Sequence, residues 1–434
     1  MSVMTSTAFH VVTVVWGRPY VDLFLDVAVP NQLTPGNLGA LPAGSRYRVF
    51  APPEDVERLA ATSILDRVNE IIPVDVVAMP ELSGVSNGLG PLIAGHRRAL
   101  QDAAESCAAV VFLNADHFMS EGALAAVVQR HAEGSRAVVS TGIRLNKETF
   151  VADLQMRGGI RSIPCRELVS LALDHLHPFT LAHTVDAART ACWPISVYWR
   201  IATEGILARP IYLHPLMVHP VERAVLPRRQ TIDGNYLRAA CPAREQVHVV
   251  TDSDELCLFE LSSADNMLTG TYPGAMSLWR AAKMLSRCDA YQQSYWRTAV
   301  RIHARDLGTA WHPVEEDATR FAAHAMWLQP AARSIYVMSR RLRPLRRHAG
   351  ALRKQLRRVA KDLAPARVKR SLVRAARPIQ TCPEHTLRSS RQMMRRASRS
   401  IRLLAHSAAR PVHRLRKRAV RAGRRMLRRA SPAQ

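Results

Sequence analysis

The apolar positions of the first 150 residues fall into short β-branched runs separated by stretches of helical spacing. Residues 8–15 form an unbroken strand-favouring run. Behind the following Trp16-Gly17-Arg18 loop, Val21, Phe24, Leu25 and Ala28 recur at three- and four-residue intervals, one face of a helix. The alternation then repeats. A strand over 46–51 runs through Pro52, Pro53, Glu54 and Asp55 into a helix over 53–61, since proline and acidic residues suit a first helical turn. A strand near 70–77, a helix over 92–107, a buried strand over 108–113, a helix over 121–132 and a strand over 137–141 complete the series. Parallel neighbours need long crossover connections, so strands spaced by helices predict an α/β fold with a mostly parallel sheet flanked by helices. Ligands of such sheets bind beyond the carboxyl ends of the strands. The loops at 16–18, 51–54 and 114–117 therefore carry the expected chemistry.

From residue 150 onwards the pattern is less regular. A helix is expected over 166–175, strands near 206–213 and 246–251, and helical material from 275 to about 338, with no second core that would fold alone. The expected organisation is one body in two halves, 1–150 and 151–338, followed by an Arg-rich tail over 339–434.

Charge separates the body from the tail. Of 61 Lys and Arg in the chain, 32 lie in residues 331–434, which hold only 2 of the 35 Asp and Glu. The body is nearly neutral, so the net charge of +26 is a property of the tail and argues there for an anionic partner. Leu345, Leu352, Val359 and Ala349, Leu356, Leu363 form two interleaved seven-residue series in the tail, one apolar stripe on a cationic helix. An anionic membrane surface fits both features. Nucleic acid ranks behind it, because residues 341–434 contain no Phe, Tyr or Trp to form a base-stacking platform. Seven cysteines without a C-x-x-C pair read as reduced thiols, and no signal peptide or spanning segment is visible. The expected location is cytoplasmic, with peripheral attachment at the inner face of the membrane.

The most informative position is Asn114-Ala115-Asp116, where a carboxylate follows a buried strand and His117 stands behind it. A helix-capping aspartate explains the triplet as well. The order of elements decides for chemistry. The opening strand with its Trp16-Gly17-Arg18 loop, followed by Phe112-Leu113-Asn114-Ala115-Asp116, resembles GT-A-type glycosyltransferases, whose first half binds a nucleotide-sugar and whose Asp-any-Asp triplet closes a strand about a hundred residues in. The resemblance covers about residues 8–255 and implies a GT-A-like fold with a nucleotide-sugar-binding half over 1–150 and an acceptor-side half over 151–338. It also implies sugar transfer from a nucleotide-activated donor to a saccharide or lipid-linked acceptor, in polysaccharide or glycolipid assembly.

On this resemblance Gly17, Arg18, Asn114 and Asp116 contact the donor, with His96 and Arg97 facing its diphosphate. A divalent cation, Mg²⁺ or Mn²⁺, would neutralise the departing diphosphate. Asn114 stands where the family has its first carboxylate, so Asp116 would need help from His219 or His214. An inverting transfer needs a carboxylate base for the acceptor hydroxyl, and Asp233 in Thr231-Ile232-Asp233-Gly234-Asn235 has the family's spacing, with Glu204 its rival. A turn aspartate bonding its own backbone is the plain alternative for Asp233. Two other functions share parts of this pattern. A nucleotidyltransferase has the same sheet but wants a Gly-rich triphosphate loop that Trp16-Gly17-Arg18-Pro19 does not supply. A non-catalytic scaffold would work through its basic tail, binding anionic membrane or nucleic acid.

Overall fold

The computed structural model describes residues 7–83, 89–221, 225–228 and 230–363, with side chains to Ser339 except at position 235. The Ser83–Gly90 stretch of the sequence thus lies largely outside the described residues, as does the tail beyond Leu363.

Four parallel strands build the centre of the fold: β1 (Phe9–Val14), β2 (Arg46–Ala51), β3 (Val74–Ala78) and β4 (Ala109–Phe112). They belong to a seven-stranded sheet in the order Val247–Val249, Ala137–Ser140, His214–Val218, β4, β1, β2, β3. The His214–Val218 strand is antiparallel to both its neighbours, and the other six strands are mutually parallel. The sheet is thus mostly parallel with helices between its strands, as the alternation of the sequence predicts. Two of its strands come from the second half of the body. The irregular stretch after residue 150 therefore completes the first sheet as well as building smaller sheets of its own.

Successive strand residues point to opposite faces, and both faces are covered. Phe9, Val11, Val49 and Val111 enter one apolar cluster with Val21, Phe24 and Leu124, while Val12, Val14, Phe50, Val110 and Phe112 enter the other with Ala99, Leu100 and Ala103. The second cluster depends on Gly95 in the Gly90–Glu105 helix, where a Cβ would lie 2.4 Å from Val14 Cγ2. A glycine there lets the helix press against β1.

Three smaller sheets lean on the first, with orders Val300–His303, Gly205–Pro210, Ser196–Ile201; His117–Met119, Leu258–Ser262, Ile143–Asn146; and Thr271–Pro273, Arg189–Ala191. Val300–His303 corrects the expectation of continuous helix from 275 to 338. Val300 and Ile302 alternate inward and pair along Gly205–Pro210, a period-2 signal too short to stand out between the Leu278–Leu285 and Ala290–Tyr295 helices and the long helix that follows. The expected helix at 53–61 is followed by a second, Ser63–Asn69, so β3 begins later than its apolar run suggests. The last described element is the long helix Trp311–Leu363, and the chain divides by its internal contacts after Arg341. Among the described residues no helix is long and apolar enough to cross a membrane.

Candidate active site at the carboxyl edge of the sheet

β4 ends at Phe112, and the chain turns through Asn114-Ala115-Asp116 into the His117–Met119 strand, with the His117 amide donating to the Asn114 carbonyl at 3.1 Å. The turn is rigid. Leu113 N–H bonds Val12 of β1 at 3.0 Å, and the Asp116 carbonyl accepts from Leu261 at 2.7 Å. The Asn114 amide nitrogen lies 3.1 Å from His117 Nε2, while the buried Asn114 Oδ1 has no hydrogen-bond partner.

Antiparallel register places Glu260 opposite His117, and parallel register places Arg144 opposite Glu260, so Glu260 and Arg144 form an ion pair beside the turn. Arg144 is buried, lies over the Phe179 ring at 5.0 Å, and keeps a buried Nη1 without a partner. Burial and the neighbouring Glu260 push the Asp116 carboxyl well above the usual carboxylate range, opposed by Arg144 and His214. Tyr20, on the helix after β1, feels the same environment: burial and then Asp116 raise its hydroxyl.

The antiparallel strand delivers His214 to this edge. Its Nε2 donates to the Phe112 carbonyl at 3.0 Å, its Nδ1 is 3.4 Å from Asp233 Oδ1, and its ring meets that of His117 edge to face at 4.8 Å. Burial opposes a charge on His214, but Asp233 and the Phe112 carbonyl outweigh it and its pKa is raised. His96 completes the cluster. Gly95 seats its helix, the ring packs on Phe112 at 4.9 Å, and neither ring nitrogen has a partner, so burial drives its pKa down to about 3. The edge thus holds two histidines kept neutral, His96 and His117, and one that favours its cationic form.

The structure therefore brings together Asn114, Asp116, His96, His214 and Asp233 of the residues the sequence nominates. Others stand elsewhere. Gly17, with φ +79°, makes the turn that glycine tolerates and donates to Asp55 at 3.3 Å, whereas the Arg18 side chain is 86% exposed and lies 3.8 Å from Asp22. Glu204 sits in the hairpin between Ser196–Ile201 and Gly205–Pro210, gripped by both prongs of Arg305 at 2.6 and 2.7 Å. His219 follows the strand that His214 begins, about 16 Å away at five residues' rise. It packs on His131 at the amino edge of the sheet, where it lines a cavity of about 990 Å³ with Arg97, Arg98 and Arg136. One ion cannot be shared by Asp116 and His219. That cavity is roomy, yet it opens at the edge where a parallel sheet does not bind ligands. The carboxyl edge, with its unpaired polar groups, is the better candidate.

Comparison with known proteins gives no family model and no curated protein that matches the chain. Among solved structures it is similar to TarS of S. aureus, 11% identical over 67% of this chain, with a TM-score of 0.27. The chain spans 42% of the length of that protein. It is also similar to the mannosyltransferase PcManGT from Pyrobaculum calidifontis, solved with GDP-Man and Mn²⁺, at 13% identity over 83% of this chain and 88% of that one, with a TM-score of 0.31. Overlaps of this extent assign no residue here, and the site stands on its own geometry.

Arg144, Glu260 and His117 are site residues that the sequence reading missed. Only His117 had a local signal, as the neighbour of the triplet. Arg144 and Glu260 lie 116 residues apart and meet through strand register. A second acidic group, Asp252, Asp254 and His303, has its ligand atoms within 4.8 Å of one another. It is already satisfied: His303 bonds the Arg305 carbonyl at 2.8 Å and Asp252 at 2.9 Å, and Asp254 is paired with Arg166.

Proposed function

We propose that this chain transfers a sugar from a nucleotide-activated donor to a saccharide or lipid-linked acceptor. The observation that carries the reading is the meeting of Asp116, Arg144 and the His214–Asp233 pair at the carboxyl edge, beside the end of β1. Departure of a sugar from its nucleotide leaves charge on a diphosphate, which preorganised cationic donors stabilise. The unpaired Nη1 of Arg144 is such a donor, and the unpaired Oδ1 of Asn114 is an acceptor for a donor hydroxyl.

At the other end of the reaction the acceptor hydroxyl must lose a proton as the new bond forms. Asp233 is part-exposed on the Ile232–Tyr236 turn and held from behind by His214, so its free oxygen faces solvent as a base for an inverting transfer.

A divalent cation fits the chemistry of Asp116. Burial, and then the neighbouring Glu260, disfavour charge on its carboxyl, and a hard cation on its oxygens would offset that penalty. Such an ion, when bound, supplies charge neutralisation to the leaving diphosphate. The test is calorimetric titration with UDP, GDP and the matching triphosphates, with and without Mn²⁺, followed by donor-turnover assays. Diphosphate binding weakened by Arg144→Gln and Asp116→Asn supports transfer. Preference for triphosphate turns the reading to nucleotidyl chemistry, and no binding of either removes it.

A further inference from the structure

The Trp311–Leu363 helix has two faces with different fates. Ala318, Ala322, Ala325, Gln329 and Ala332 are buried against the body, and Tyr336 meets the Arg287 guanidinium, which also lies over Trp193. These positions follow one another at alternating four- and three-residue steps, a single stripe of the helix. Trp327, Ile335 and Met338 fall on the opposite side and are 79%, 47% and 57% exposed. Large apolar side chains are thus placed away from the body on a helix whose inner face uses alanines.

Beyond Ser339 the sequence keeps this arrangement and changes its inner face. The outward series continues as Met338, Leu342, Leu345, Ala349, Leu352, Leu356, Val359 and Leu363 at the same alternating steps. The positions that continue the alanine series run through Arg340, Arg343, Arg347, Lys354, Arg358 and Lys361. The sequence there combines one apolar stripe with cationic positions.

We infer that this apolar stripe binds the surface of a membrane rich in anionic lipid. An amphipathic helix in that position sinks its apolar face among the acyl chains while its Lys and Arg attract the headgroup charge. Charge selects this occupant over a second copy of the chain. Residues 340–363 hold 10 Lys and Arg and 1 Asp, and pairing two such helices would bring the same charges together.

The experiment is flotation of the purified full-length protein with phosphatidylcholine vesicles, with and without phosphatidylglycerol. The protein is expected to float with the anionic vesicles and to be left behind by the neutral ones. The triple variant Trp327→Asp, Ile335→Asp and Met338→Asp is expected to weaken partition by about tenfold or more. Its thermal melt is expected to be unchanged, because none of the three is buried. Unchanged flotation of this variant overturns the role of the stripe. Failure to float while duplex DNA or RNA is bound gives the tail to nucleic acid. A full-length dimer in light scattering that the variant dissolves gives the stripe to a second copy.

Discussion

His214 and His219 stand five residues apart at the two ends of one strand, and the two edges of the sheet treat them in opposite ways. At the carboxyl edge, His214 is between the Phe112 carbonyl and Asp233 and favours its cationic form. At the amino edge, His219 lies beside Arg136 and His131, and burial with the Arg136 charge lowers its pKa to about 4. The same side chain is an anchor for a carboxylate in one place and a neutral packing group in the other. Neighbours contributed by distant segments make that difference, and they also decide which edge can do chemistry: one offers unpaired Arg144, His96 and Asn114 atoms beside a strained carboxyl, the other a wide groove.

The contrast is most exposed to substitution at the carboxylates. Asp233→Asn is expected to lower turnover about 10²–10⁴-fold, the range for loss of a general base, and Asp116→Ala comparably, while His219→Ala leaves turnover within a small factor. Equal losses at His219 and Asp233 in a donor-hydrolysis or transfer assay would erase the distinction between the edges. Gly95→Ala comes next. Its Cβ would collide with Val14, and such overpacking is expected to cost about 1–3 kcal/mol in chemical denaturation, with loss of activity as His96 moves from the edge.

A subtler measurement sharpens the comparison through sign. His214 has a raised folded pKa, so its contribution to stability is present below the unfolded value of 6.5 and is lost as pH rises through the folded pKa. His219 has a lowered one. It stays neutral when folded while the unfolded chain takes up a proton, so it costs stability as pH falls from 6.5 towards 4. Denaturation midpoints against pH for His214→Gln and His219→Gln should therefore depart from the parent in opposite directions on the acid side. Parallel departures would show that both rings sit in like environments. The smallest effect is expected for Glu204→Gln, which weakens an exposed, solvent-screened pair with Arg305, leaving the denaturation midpoint nearly unmoved and turnover unchanged.

Much of the frame was legible in the chain. β2 is found at the residues its alternation predicts, because Tyr47, Val49 and Ala51 face one cluster of the core and Phe50 the other. Asn114 and Asp116 were legible because a buried strand and its exit loop are local features. The antiparallel insertion of His214–Val218 was not, since a five-residue apolar run carries no record of direction or neighbour. Nor was the partition of the two histidines in Leu213-His214-Pro215-Leu216-Met217-Val218-His219-Pro220, since nothing in the segment says which ring reaches which edge of the sheet.

By itself the sequence determined what depends on near neighbours along the chain: the alternation that makes an α/β sheet, the separation of charge into the tail and the repeat of its apolar stripe. Tertiary structure alone decided which strand entered the sheet backwards, that Arg144 and Glu260 meet beside Asp116, and which face of the last helix the body covers. The physical reason is one of range. Periodicity is set by the backbone repeat of each segment, whereas electrostatics and burial sum over whatever folding brings near, however far apart in the chain.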